Sequence, residues 1–326
     1  MKYSRELIAQ TDALLAERRR AAQERLDRRR DWLYGRIPEL GEVERLQAEG
    51  LRRMAEAVAR GAPSAAISAL LLEAQALQDR RAGLLLQHGV PEDALRLQYE
   101  CPLCEDRGFV EGRPCGCYDR ALRRMAYENS PMGAALRDKT FDNFSLGHYD
   151  DRPLERGGSA RAMMEVNLRR CRRFAETFEQ GPRSLLLQGG CGLGKTHLSA
   201  AIGNALAARG HEVVYETASA LFAALEREKF GRGQGEDTGR YTTCSLLMID
   251  DLGSEFVSPF VLSALFTVLN TRIINGLRMV LSTNFTLAEL EQVYTQKILS
   301  RIMGEFEVLR FVGTDIRVKL AAEPRP

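Results

Sequence analysis

The segment Ser184-Leu185-Leu186-Leu187-Gln188-Gly189-Gly190-Cys191-Gly192-Leu193-Gly194-Lys195-Thr196 reads as an apolar strand running into a glycine-rich octet of the form G-x-x-x-x-G-K-[ST]. A helix-forming stretch, His197 to Ala208, follows it. Glycines let such a loop wrap so that its N–H groups converge on phosphate oxygens, at a helix N-terminus whose dipole favours anions. In this pattern Lys195 is expected to reach the outer phosphates of a nucleoside triphosphate and the Thr196 hydroxyl to ligate Mg²⁺. Gly189, Gly190, Cys191, Gly192, Leu193, Gly194, Lys195 and Thr196 are therefore the expected phosphate-binding residues. The motif tolerates many side chains at its x positions, so Cys191 is expected to be a passenger there.

Outward from this loop the chain alternates apolar strands with helices. The expected strands are Ser184–Gln188, Glu212–Tyr215, Ser245–Ile249 and Met279–Ser282, and a helix carrying Met164, Leu168, Cys171, Ala175 and Phe178 ends at Gly181-Pro182. Continuous apolar strands between helices imply a parallel sheet covered on both faces. The strand Leu246-Leu247-Met248-Ile249 runs into Asp250-Asp251. Asp250 is placed to hold Mg²⁺, and Asp251 to orient or deprotonate an attacking water. The next strand ends in Thr283-Asn284, a polar tip suited to positioning that water. Ser300-Arg301-Ile302 lies on an expected helix beyond it, where an exposed Arg can act on a neighbouring subunit's nucleotide or be a simple surface charge.

The first half is different. Residues 1–60 hold 14 Lys/Arg against 11 Asp/Glu and no Gly before Gly35, which reads as helix broken at Pro38. A second helix over about 39–60 ends near Gly61, and a third opens at Pro63-Ser64 and stops near Gly89. Leu70, Ala74, Leu77 and Leu84 share one face of that third helix. Arg18-Arg19-Arg20 and Arg28-Arg29-Arg30 read as a solvated face or as a contact for nucleic acid or a partner. Cys101-x₂-Cys104-x₁₀-Cys115-x-Cys117 then places four thiols within 17 residues. Four thiolates close a structural Zn²⁺ tetrahedron, leaving no open position for catalysis; unliganded thiols and a redox pair are the alternatives. Tyr118, Arg120, Arg123 and Arg124 directly after it suggest a contact for single-stranded DNA or a solvated helix.

Composition bounds the rest. The 326 residues are 44% hydrophobic and 28% charged, with a formal net charge of +2, which excludes a disordered or fibrous chain and a histone-like one. No apolar run reaches membrane-helix length and no export signal is visible at Met1-Lys2-Tyr3-Ser4, so a cytoplasmic protein without membrane contact is expected. The expected layout is a helical partner-binding region (1–98), a zinc knuckle (99–125), a linker and lead-in (126–160) and an ATPase domain (161–326).

The phosphate loop, Leu247-Met248-Ile249-Asp250-Asp251-Leu252-Gly253-Ser254-Glu255, Ser282-Thr283-Asn284 and Ser300-Arg301-Ile302 together resemble the AAA+ ATPases of the bacterial helicase-loader family, the DnaC/DnaI type, which share their core with IstB-like ATPases. The cysteine pattern similarly resembles the N-terminal half of loader-like ATP-binding proteins. The resemblance implies a P-loop AAA+ domain, with Gly189–Thr196 as Walker A, Asp250 and Asp251 as Walker B, Asn284 as sensor 1 and Arg301 as an arginine finger. Only 42 residues follow Asn284, too few for the usual helical lid, so a lidless branch is implied and a sensor 2 role for Arg317 is doubtful. It further implies an ATPase using ATP, Mg²⁺ and Zn²⁺, forming nucleotide-dependent homo-oligomers and placing a replicative helicase of the DnaB type on single-stranded DNA. A transposition helper acting on duplex DNA with a transposase is the alternative. A zinc adaptor with ATP as a mere binding switch is a third.

Overall fold

The computed structural model describes residues 3–153, 157–231 and 237–322. They fall into two compact units: one spans 9–118, the other runs from residue 119 onward and includes the stretch ending at Ile8. Among the described residues, no helix is long and apolar enough to cross a membrane.

In the first unit the helices α1 (Arg5–Arg36), α2 (Pro38–Ala59) and α3 (Ser64–Gln87) follow the expected breaks, with Pro38 at the first position of α2. A proline there loses no helical hydrogen bond. Leu33, Ile37, Leu40 and Leu85 form the buried cluster at one end of the α2–α3 hairpin, beside Ala94 and Leu95. Of the face expected on α3, Leu70, Leu77 and Leu84 are half-buried and Ala74 is exposed. Several arginines of α1 are internal ties, while Arg20 and Arg28 of the two runs stay exposed. Arg18 pairs with Glu100 at 2.9 Å, Arg29 donates to Ala94 O at 2.8 Å, Arg25 reaches Gln98 O, and Arg19 donates to Asp106 O. The two-residue strands β1 (Phe109–Val110) and β2 (Arg113–Pro114) form an antiparallel hairpin within the cysteine-bearing segment, and α4 (Gly116–Glu128) begins immediately after Cys115.

In the second unit, α5 (Pro131–Leu136) and α6 (Ala160–Glu176) lead into the sheet. Its strands are β3 (Ser184–Gln188), β4 (Val213–Thr217), β5 (Leu246–Asp250), β6 (Arg278–Thr283) and β7 (Phe306–Arg310), all parallel, in the order β4-β5-β6-β3-β7. The intervening helices are α7 (Lys195–Ala208), α8 (Ala218–Lys229), α9 (Arg240–Thr243), α10 (Pro259–Ile274), α11 (Leu287–Val293) and α12 (Gln296–Glu305); α13 (Ile316–Ala322) follows β7. Two apolar layers sandwich the sheet, one around Leu185, Leu187 and Met248, the other around Leu186, Leu247 and Leu281. This is an α/β fold in which helices cover both faces of a parallel sheet and a glycine-rich loop joins β3 to α7, preceded by helices.

Two features lie outside the sequence expectations. The fifth strand, β7, was not among the expected four. Residues 126–160, read as linker and lead-in, place Tyr127, Phe144 and Tyr149 in the core beside Leu198 and Met164.

Candidate functional site

β3 delivers the phosphate loop and α7 starts at its lysine. Lys195 is nearly buried, and its Nζ donates to Gly189 O at 2.6 Å, Gly190 O at 2.7 Å and Asn284 Oδ1 at 2.7 Å. Burial pushes its pKa down, which weakens an ammonium left without an anion. Gly192 sits at φ +67, and a Cβ there would fall 1.8 Å from Asp315 Oδ1. Ile316 N donates to Gly192 O at 3.0 Å, so the segment after β7 clasps the loop.

β6 lies between the phosphate-loop strand and the acidic strand, and its tip joins them. Thr196 Oγ1 donates to Asp250 Oδ2 at 3.1 Å, and Ser282 Oγ donates to Asp250 Oδ1 at 2.5 Å. Asp250 is 8% exposed, and burial raises its pKa despite the two hydroxyls. A buried carboxylate whose direct partners are neutral hydroxyls suits a cation, and Thr196 and Asp250 form the oxygen pair that Mg²⁺ requires. Asp251 takes φ +58, a left-handed conformation uncommon for a side-chain-bearing residue. Its N–H donates to Ser282 Oγ at 2.9 Å, and its Oδ1 accepts from Asn284 Nδ2 at 2.6 Å. Asn284 therefore bridges the phosphate lysine and the second acid.

These groups line one cavity of about 530 Å³, within the range of nucleotide-sized sites. Cys191, Gly192, Leu193, Gly194, Lys195, Thr196, Asp250, Asp251 and Asn284 all border it. So do residues that the sequence reading did not single out: Lys139, Asn143, Phe144, Ser145, His148 and Tyr149. Tyr149 OH donates to Leu193 O at 2.9 Å, and the Phe144 ring packs edge-on to His197 with centroids 5.2 Å apart. The available signal was the spacing of aromatics, Phe141, Phe144 and Tyr149, in an otherwise polar stretch. Ile316 and Arg317 close another side, with Arg317 ion-paired to Asp315 at 3.5 Å.

Arg301 is not brought to this cavity. It projects from α12 into a separate groove with Lys297, Ser300, Gln296 and Phe266, exposed and without an ion-pair partner among the described residues.

The four cysteines do converge. Cys101, Cys104, Cys115 and Cys117 place their sulfurs within 4.8 Å of one another, with Cys101–Cys115 at 3.8 Å and Cys104–Cys117 at 3.3 Å. With Zn–S at about 2.3 Å, a tetrahedron has S···S edges of about 3.8 Å, so the donor set fits the metal. Asp106, fully buried, accepts from Cys101 N and Glu100 N, both at 2.9 Å, and fixes the first cysteine turn. Tyr118 is buried with its hydroxyl on Asp12, Arg123 reaches Gly210 O and Arg124 pairs with Glu128. Tyr118 and Arg123 are thus engaged within the chain, while Arg120 and Arg124 stay exposed on α4.

Residues 164–323, just under half of the chain, match the family described as IstB-like ATP binding protein. Among similar proteins, an ATP-binding protein of insertion sequence IS232 from Bacillus thuringiensis subsp. berliner is 26% identical over 44% of this chain and 58% of its own length. The replicative helicase loader DnaC of Escherichia coli (strain K12) is 25% identical over 41% of this chain and 56% of its own length. The chain thus spans somewhat over half the length of these relatives. Among solved structures, the DnaC helicase loader aligns with a TM-score of 0.43 at 23% identity, over 53% of this chain and 98% of that one. DnaI aligns with a TM-score of 0.43 at 24% identity, over 56% and 93%.

Proposed function

We propose, starting from an IstB-like ATP-binding domain, that the protein is an ATPase that loads a replicative helicase onto single-stranded DNA. The observation that carries the ATPase reading is Asn284, held at once on Lys195 Nζ and on Asp251 Oδ1 at the mouth of the cavity. In this reading Lys195 and the loop N–H groups bind the outer phosphates, while Asn284 positions the attacking water and Asp251 orients it or takes its proton. Thr196 and Asp250 hold Mg²⁺, which supplies charge neutralisation to the phosphates when bound. Arg301, outside its own subunit's cavity, serves a neighbour's, so ATP sits between subunits and oligomers form with nucleotide. Lys195→Ala should abolish ATP binding. Asp251→Asn should keep binding and lose turnover, and a wild-type protein without turnover under any partner condition would reduce the site to a binding switch.

The loader reading rests on the relation to DnaC together with the separate N-terminal unit, whose helices and zinc-fitting cysteines supply a partner-binding module. Zn²⁺ there would fold the segment rather than catalyse. The transposition-helper reading has its own support in the family description and in the relative from an insertion sequence. Native mass spectrometry with the host's replicative helicase, with and without MgATP, separates the two. The loader reading expects a defined complex that is lost on deleting residues 1–125. Absence of that complex, with ATP-dependent assembly on duplex DNA instead, selects the transposition helper.

A further inference from the structure

The loop after β5 is tied to the helix that bears Arg301. Gly253, at φ +105, lies against the ring of Phe285, the residue after Asn284, with a Cβ position only 2.5 Å from Phe285 Cε2. Gly253 N donates to Glu255 Oε2 at 2.9 Å, and the other carboxylate oxygen, Oε1, accepts from the Tyr294 hydroxyl. Tyr294 is 2% exposed and terminates α11; the next residue, Thr295, is the N-cap of α12. Helix α12 buries Ile298 and Ile302 and leaves Arg301 exposed. A phenol hydroxyl in so dry a place needs its acceptor, and Glu255 is the acceptor it has.

We propose that Glu255 and Tyr294 are positioning residues. They fasten the start of α12 to the loop that carries Asp251, so that the pose in which a subunit offers Arg301 to its neighbour is set by its own acidic loop. This rests on Arg301 acting in trans. The link explains why the loop spends a half-buried carboxylate on a tyrosine two elements away from the phosphates. It also gives an assembled ring a physical route from one site to the next.

The test is a double-mutant cycle in the full-length protein, reading steady-state ATP turnover, KM and equilibrium ATP binding. Tyr294→Phe should lower kcat about tenfold, the scale of a modest misplacement of a reacting group, with KM and ATP binding unchanged. In the Arg301→Ala background the same change should have no further effect, because the group being positioned is gone. Glu255→Gln, which offers one acceptor to two donors, should give a smaller loss with the same dependence on Arg301, and it serves if Tyr294→Phe does not fold. Unchanged kcat in Tyr294→Phe, or a loss that multiplies with that of Arg301→Ala, overturns the proposal. If Arg301→Ala itself leaves turnover intact, or wild type has none, the trans reading fails first, and that result does not involve Tyr294.

Discussion

Replacing Gly192 with alanine tests how tightly the phosphate loop is clasped. The new Cβ meets two costs. At φ +67 an L-residue is disfavoured by about 1–2 kcal/mol. The methyl would also stand 1.8 Å from Asp315 Oδ1 and 2.0 Å from its Cγ, so the carboxylate must swing away. It then gives up the hydrogen bond it accepts from Arg317 N at 2.9 Å, about 1 kcal/mol. The total is about 2–3 kcal/mol, divided between folding and nucleotide binding according to whether the free loop relaxes. If it relaxes, ATP binds about 30- to 150-fold more weakly. If it does not, Tm falls by about 4–12 °C. Fluorescent-ATP titration and thermal unfolding on the same samples measure both shares. In an Asp315→Ala background both the obstruction and that hydrogen bond are already gone, so Gly192→Ala should cost only the dihedral share, about 1–2 kcal/mol. Gly192→Ala with both readouts unchanged would refute the observed loop conformation; no further loss on adding Gly192→Ala to Asp315→Ala would refute the dihedral term.

Purified protein should carry a single zinc ion per chain by elemental analysis, and Cys104→Ser should lose it together with thermal cooperativity of the N-terminal unit. Asp250 has a raised pKa, so the folded chain keeps that proton to higher pH than the unfolded one. Its contribution to stability without Mg²⁺ therefore rises on acidification through the folded pKa, while MgATP affinity falls over the same window, which begins above the ordinary carboxylate range. Asp250→Asn should flatten that pH dependence of binding, and an unchanged profile would exclude Asp250 as its source. Arg272 is fully buried without a carboxylate partner among the described residues, donating to Tyr241 O at 3.0 Å, Arg278 O at 2.7 Å, Ser245 O and Cys244 Sγ. Arg272→Met leaves those carbonyls unpaired and should cost about 3 kcal/mol by chemical denaturation, even though relief of the buried charge offsets part of it.

The phosphate loop and four of the five strands could be read from sequence because a fully buried parallel strand is apolar at every position, as in Leu246 to Ile249. The expected strand ends are within two residues of the observed ones. Strand β7 escaped because it is an edge: Phe306 and Leu309 are buried while Glu307 and Arg310 meet solvent, a pattern equally at home on a helix. Phe144 and Tyr149 escaped because their burial comes from Leu193 and His197, about 50 residues away, and nothing in their own neighbours announces it. The arginine runs on α1 carry a charge pattern typical of a solvated face. Only the return of residues 94–106 along that helix turns Arg18, Arg19 and Arg29 into ties. Pattern reading finds what a residue's own segment dictates, and it is silent on which distant backbone comes back to meet it.

The strand order also sets a timetable for the growing polypeptide. The cysteine cluster closes within a span of 17 residues, but β3 acquires its flanking partner β7 when Phe306 meets Ser184, and Gly192 acquires its clasp only with Ile316. On the ribosome the four thiols can therefore gather long before the nucleotide site is complete, since contacts between distant segments form late. A nascent chain halted before Phe306 would have the whole phosphate-loop sequence and one side of the sheet still open. The nucleotide-sized cavity is thus complete only in the finished domain, since Ile316 and Arg317 form part of its wall.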